Sequence, residues 1–479
     1  MMSKALRYAL HLILWLSILW LYLGKRQTHL EQPDVKGDAT GYVTMAYNFV
    51  HSDVLSKACD RFYEPCELDP LPPTHYREPG YPLLLSLGIM LDPEVRAMSR
   101  AEFWPEPGRL NPQAFEALRR VNAAQIFLIA IMVFGITAVV SGSIWWAYVP
   151  AALVITSETL WHYSQFFLSE ITGMLFLSSA MLCFTAAIAS ARIRYFVLGA
   201  MAYGALVLTK AIYYYLVIVP VVVFILALLR NRQQRKQLAK GAVVAGVIYA
   251  AIVSAWMYRN YTHFGKFEIA DRGPTALATR MEFNKMTERE LRASFLLWAP
   301  DRTLRKRLRT EYTKKDTTRF NRSNQDGFYR SGRRRADEVL RELGDIEGAR
   351  VLKQQAIETL KSDPIKHLLV SASFFWRGMF VEDDRVLGPL KIPAYEHTLI
   401  LMGGLISLFI VATLTLQPSL LLVSGLPLAS IVLHSLVSNS RHRYNFPTVP
   451  MLYVCTALVI FLVISFVGRV ARRSVANES

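Results

Sequence analysis

An all-α, multi-spanning membrane protein is the fold class this sequence predicts, and three observations carry the prediction. Hydrophobic residues make up 53% of the 479 positions and charged ones only 19%, which disfavours a disordered chain, a fibrous one or a soluble enzyme. The apolar residues fall in blocks free of Asp, Glu, Lys and Arg, at 8–24, 121–157, 171–191, 195–209, 211–229, 241–258, 397–440 and 444–468. Charged stretches separate these blocks, as expected when part of a chain meets lipid and the rest meets water.

The first block follows Lys4 and Arg7 as a signal peptide would, but Gly24-Lys25-Arg26 stands in place of a small-residue cleavage site, so it reads as an uncleaved helix. The blocks 121–157 and 397–440 are too long for single crossings of about 20 residues. They must fold back, at Ser141-Gly142-Ser143 and at Gln417-Pro418, where glycine and proline break helices. The total is about ten spans. With the N-terminus on the inner side, the inner segments carry Arg192, Arg194, Arg230, Arg232, Arg235, Lys236, Lys240, Arg469, Arg472 and Arg473. Their only acid is Glu478, so the positive-inside rule sets the orientation. Residues 367–376 are too short an uncharged run to span and read as an interfacial helix.

The expected organisation is a first transmembrane helix at 1–24, an extracytoplasmic loop with interfacial helices at 25–120, and helices two to seven at 121–257. A second, partly helical extracytoplasmic region follows at 258–396, then the last three spans at 397–468 and a basic cytoplasmic tail at 469–479. Cys183 and Cys455 fall inside spans, whereas Cys59 and Cys66 share the first outer loop, either as a disulfide or as two free thiols.

Common soluble signatures are missing: no glycine-rich phosphate loop, Cys-x-x-Cys, His-Glu-x-x-His or Gly-x-Ser-x-Gly occurs. The candidates are polar residues at the outer ends of spans, where ionisable groups are costly. Asp38 precedes an amphipathic run with Tyr42, Met45, Ala46, Phe49 and Val50; it caps a helix or presents a carboxylate at headgroup level. Arg77, in Arg77-Glu78-Pro79-Gly80-Tyr81-Pro82, belongs to a rigid turn or meets a phosphate. Glu170 follows Ser169 at the start of a span, where it complements the helix dipole or joins Asp38 in acid–base or cation chemistry. Glu158 and His162 are weaker candidates. Arg441-His442-Arg443-Tyr444 anchors the last span at the interface or supplies cations to a leaving phosphate, and Lys210 with Tyr213 to Tyr215 offers similar chemistry. Thirteen Lys or Arg lie between 302 and 335, either as a solvated helical face or as an attraction for anionic lipid or glycan. No nucleic-acid motif accompanies them.

The order of these pieces resembles one superfamily. The first helix, Asp38 with Tyr42 and Ala46, the Arg77 to Pro82 turn, Ser169-Glu170, Leu208-Thr209-Lys210, Arg259-Asn260 with Phe264-Gly265, Asp363-Pro364, and Arg441 to Tyr444 with Pro447 and Pro450 are similar to membrane glycosyltransferases of the GT-C fold. These use polyprenyl-phosphate sugars and include the protein O-mannosyltransferases and the lipid A aminoarabinose transferases. The resemblance fades between about 281 and 350.

It implies a glycosyltransferase of the plasma (inner) membrane with its active face periplasmic. The donor would be a polyprenyl-phosphate sugar and the acceptor a lipopolysaccharide, an envelope glycan or a protein hydroxyl. By this resemblance Asp38 and Glu170 are catalytic, and Tyr42, Arg77, Lys210, Arg441, Arg443 and Tyr444 bind the lipid phosphate or sugar. A divalent metal held by Asp38 and Glu170 stays open, because this chain has Arg77-Glu78-Pro79 where many relatives have Arg-Pro-Pro, Thr209-Lys210-Ala211 where many have Thr-Arg-Pro, and a single first-loop acid. The alternatives are a transporter or flippase of a lipid-linked or anionic solute, or an envelope polysaccharide polymerase or ligase. A transporter would place its ionisable groups nearer the midplane.

Overall fold

The computed structural model describes residues 4–28, 32–59, 66, 68–387 and 390–478. Among the described residues, eight helices are long and apolar enough to cross a membrane: Leu6–Gln27, Pro112–Ser141, Glu170–Ser190, Ala211–Arg230, Arg235–Phe264, Ala394–Thr415, Pro418–Val437 and His442–Val470. Of three shorter apolar helices, Gly80–Met90, Ile144–Ile155 and Ile193–Val207, the last two fall where the remaining spans are expected. At 1.5 Å per residue they reach only about 18 and 22 Å, short of a hydrocarbon core of about 30 Å. Each stops early because the chain turns polar at the same end of the bundle, at Ser157-Glu158 and at Thr209-Lys210.

Both expected reversals occur. Gly142 takes a φ of 69° after Pro112–Ser141, and Ser143 then caps Ile144–Ile155 through its side chain; this left-handed turn suits a residue without Cβ. The second falls between Thr415 and Pro418. Antiparallel neighbours therefore gather two kinds of connection at opposite ends. Arg192, Arg194, Arg230, Arg232 and Arg235 lie at one end, while Asp38, Glu170, Lys210 and Arg443 lie at the other. The side chains of Arg473 and Glu478 are outside the described residues.

Two apolar cores support the polar end. The larger runs through the spans and includes Trp161, Met174, Tyr203, Leu405 and Tyr453, all 1% exposed or less. The smaller joins Asp38–Ser52, Gly80–Met90 and the start of Pro112–Ser141 through Val43, Tyr81, Leu85, Phe103 and Leu118. The first helix is tied to this end by Lys25 on Glu158 and by Arg26 on Glu116 at 3.4 Å. Cys59 and Cys66 are joined in a disulfide, and Cys183 and Cys455 are free.

Among the described residues after Arg235–Phe264, helices joined by loops predominate, and the one pair of strands is Arg385–Leu387 against Leu390–Ile392, antiparallel. The helix Pro364–Met379 is not among those able to span. It buries His367, Val370, Phe374 and Gly378 and exposes Ile365, Leu368 and Leu369, the two-faced pattern of a helix lying along an interface.

Candidate active site

Asp38 opens the helix Asp38–Ser52, but its side chain does not cap that helix. Arg77 Nη2 donates to Oδ1 at 2.8 Å, Arg443 Nη2 donates to Oδ2 at 2.5 Å, and Arg272 Nη2 lies 3.7 Å from Oδ1. Burial opposes the negative charge, but the three guanidiniums outweigh it and hold Asp38 well below the usual carboxylate range. Arg77 is 3% exposed and lies over the Tyr42 ring, 4.7 Å from its centre. Its Nε and Nη1, with Nε of Arg443, are buried donors without a hydrogen-bond partner. Such donors are costly unless an acceptor meets them.

Glu170 begins the helix Glu170–Ser190, and Lys210 follows the end of Ile193–Val207. Their charged atoms are 3.4 Å apart. Tyr42 connects the pair to Asp38, since its hydroxyl donates to Ser169 Oγ at 3.4 Å. The Arg77 turn is fastened to the Lys210 segment by Gly80 N donating to Leu208 O at 2.8 Å and by Ala211 N donating to Glu78 Oε1 at 3.2 Å. Glycine is required at position 80, because a Cβ there would stand 2.3 Å from Thr209 Oγ1 and 2.9 Å from Leu208 O.

The fold thus brings together Asp38, Tyr42, Arg77, Glu170, Lys210 and Arg443, from five separated stretches of sequence. Tyr444 stands beside them: its ring stacks on His434 at 5.9 Å, and the Arg443 guanidinium is 5.5 Å from its centre. Arg441 belongs to a neighbouring cationic group with Arg322 and Arg377. Burial, and then the charges of Arg322 and Arg443, lower the Arg441 pKa; burial with Arg441 and Arg322 lowers that of Arg377 to about 10. Glu158 pairs with Lys25 and stays outside the site. His162 packs edge-on against Phe166. The basic helix Arg302–Glu311 buries no residue and reads as a solvated face.

Asp38 and Glu170 both face cations of the chain, which a divalent ion shared between them would have to displace. Three guanidiniums close the first carboxylate and the Lys210 ammonium closes the second, so cations of the chain hold the positions a metal would take.

Arg272 and Glu382 carry no sequence signal of their place here. Arg272 has no motif around it and reaches Asp38 only through folding. Glu382 sits in Glu382-Asp383-Asp384, which reads as a solvated acidic run, yet it is 4% exposed. Ser157 Oγ, Thr159 Oγ1 and Tyr453 OH donate to it at 3.1, 3.0 and 2.8 Å. Burial outweighs these bonds and pushes its pKa up to about 7.

Comparison with known proteins agrees with this architecture. Residues 109–267 match the dolichyl-phosphate-mannose-protein mannosyltransferase family. The archaeal oligosaccharyltransferase AglB from Archaeoglobus fulgidus, solved with an inhibitory peptide and a dolichol-phosphate, is similar at a TM-score of 0.52 and 14% identity, over 98% of this chain and 52% of that one. The Archaeoglobus fulgidus oligosaccharyltransferase solved with Zn and sulfate gives 0.50 and 15%, over 95% and 50%. This chain therefore spans about half the length of those proteins. Curated proteins yield no match. The chain is an integral, multi-spanning membrane protein with the GT-C fold, and its residues 109–267 carry the likeness to the mannosyltransferase family.

Proposed function

We propose that this protein transfers a sugar from a polyprenyl-phosphate donor to an acceptor on the periplasmic face of the inner membrane. The observation that carries the reading is Asp38 under three arginines, two of which keep buried donors free of any partner. A phosphate is a natural acceptor for such a fork. The mannosyltransferase family match supports a donor of this class, and the arginines of the opposite end support the orientation.

The reaction is an inverting displacement. The acceptor oxygen bonds to the anomeric carbon as the bond from that carbon to the phosphate oxygen breaks. The acceptor proton passes to Asp38, and the departing polyprenyl phosphate keeps the electron pair. Arg77, Arg443 and Lys210 stabilise the growing negative charge, while Glu170 holds Lys210 and the sugar. Asp38 is a weak base while three guanidiniums surround it. Moving Arg443 and Arg272 onto the donor phosphate returns its pKa toward the ordinary range, so donor binding prepares the base.

Purified protein given a polyprenyl monophosphate sugar and envelope acceptors tests the reading, with Asp38→Asn as control. Wild type should build a glycan one monosaccharide larger, by mass spectrometry. Asp38→Asn should be slower by about 10² to 10⁴-fold. Equal rates would remove Asp38 from the chemistry, and transfer only from a pyrophosphate donor would favour a polymerase or ligase.

A further inference from the structure

Beside the Asp38 cluster lies another convergence of ligating side chains. His75, Glu268 and Asp271 bring a ring nitrogen and two carboxylates within 4.8 Å of one another, the one such trio of His, Cys, Asp or Glu among the described residues. Their frame is fixed by the end of the helix Arg235–Phe264. Trp256 Nε1 donates to Ile269 O at 3.0 Å, Arg259 Nη1 to Thr74 O at 3.0 Å, and Asn260 Nδ2 to Glu268 O at 2.8 Å. Asp271 N donates to His75 O at 3.1 Å, and the His75 ring stacks on Phe264 with centres 4.0 Å apart.

The protein itself pairs the ligating atoms only in part. His75 Nε2 and Glu268 Oε1 are buried without a hydrogen-bond partner. His75 Nε2 stands 3.4 Å from Asp271 Oδ2, and Lys266 Nζ lies 2.9 Å from Asp271 Oδ1. Two carboxylates facing an imidazole nitrogen call for a cation, and the Lys266 ammonium supplies one from the side.

We propose that His75, Glu268 and Asp271 bind a divalent transition-metal ion of the zinc class, which displaces the Lys266 ammonium and clamps the 74–77 segment to the 264–272 segment. Imidazole and carboxylate are both zinc ligands, and three protein ligands is the number of a zinc site with an open position. Magnesium and calcium, which want six or more oxygens, are poorly served by it. The clamp has a consequence at the neighbouring site. Arg77 lies two residues after His75 and Arg272 directly follows Asp271, and both guanidiniums meet Asp38 Oδ1, at 2.8 and 3.7 Å. An ion at the trio therefore fixes the spacing of two arginines on one carboxylate oxygen. This proposal is independent of the sugar-transfer reading, because metal binding is read without turnover.

The test uses the full chain, purified in detergent, treated with chelator and titrated with Zn²⁺ and with Co²⁺ as a spectroscopic probe. Roughly one ion per chain should bind, with a visible Co²⁺ absorption band and a raised Tm. His75→Ala and Asp271→Asn should each weaken binding by about 100-fold or more. Those variants risk misfolding, so Lys266→Met supplies the second arm: it removes the competing ammonium and should tighten binding about tenfold. Failure of both wild type and Lys266→Met to retain either ion overturns the proposal. So does an affinity that folded His75→Ala leaves unchanged.

Discussion

Asp38 and Glu382 are both carboxylates drawn into the polar end of the same helical bundle, and their surroundings push them in opposite directions. Asp38 meets three guanidiniums and is held ionised. Glu382 meets three hydroxyls, and burial raises its pKa to about 7. The hydroxyls of Ser157, Thr159 and Tyr453 form a network that joins the turn after Ile144–Ile155 to the last span, with one buried donor, Nε of Arg385, left unpaired beside it against three around Asp38. The arginines around Asp38 keep unused donors. Spare hydrogen-bonding capacity, more than burial of charge, separates a site built to receive something from one built to hold the fold.

After Asp38→Asn, the largest expected effect on transfer comes from Arg77→Gln. Losing a preorganised cation at the departing phosphate should slow sugar transfer by about 10² to 10³-fold at saturating donor. Transfer within a few-fold of wild type would break the contrast. Glu382→Gln should instead leave transfer nearly intact and change how stability depends on pH. The folded-state pKa of Glu382 is raised, so its contribution is complete below the ordinary glutamate range and is lost as pH rises through about 7. The span of that loss is about 3 kcal/mol, and a Tm profile of Glu382→Gln in detergent should be flatter across the window. Asp38 has the reverse sign. Its contribution is present above the ordinary aspartate range and fades as pH falls toward its lowered folded value, so Asp38→Asn should flatten the acid limb.

Gly80→Ala comes next. Its Cβ would collide with Thr209 Oγ1 and Leu208 O, so it should cost about 1–3 kcal/mol of stability, measured by thermal unfolding, and lower transfer by parting Arg77 from Lys210. The smallest change belongs to Tyr42→Phe. It keeps the ring under Arg77 and removes only a 3.4 Å bond to Ser169, for roughly 0.5–1.5 kcal/mol. A transfer loss as large as that of Arg77→Gln would move Tyr42 from support to chemistry.

Much of this was legible in the sequence. The spans follow from hydropathy, and the breaks at Gly142 and Pro418 follow from backbone chemistry that acts locally. Glu170, Lys210 and Arg443 stand at span ends, where a charge is conspicuous against lipid-facing neighbours, and Asp38 opens the first helix after the first span. Arg272, His75, Glu268 and Asp271 could not be read this way, because they lie in polar loops where such residues are common. Pairing 75 with 268 and 271 requires a tertiary fold, and no spacing along the chain encodes it. Glu382 was hidden for the converse reason: its acidic neighbours advertise solvent, whereas packing against Tyr453 takes it away from water.

The arginines folded over Asp38 also impose a sequence of events on catalysis as proposed. An acceptor that arrives first meets a carboxylate already neutralised by its neighbours, which cannot take its proton. A donor that arrives first draws the cations to its phosphate and uncovers the base. Steady-state kinetics should then be compulsory-order, donor before acceptor. The same salt bridges that stabilise the empty enzyme would serve as its safety catch.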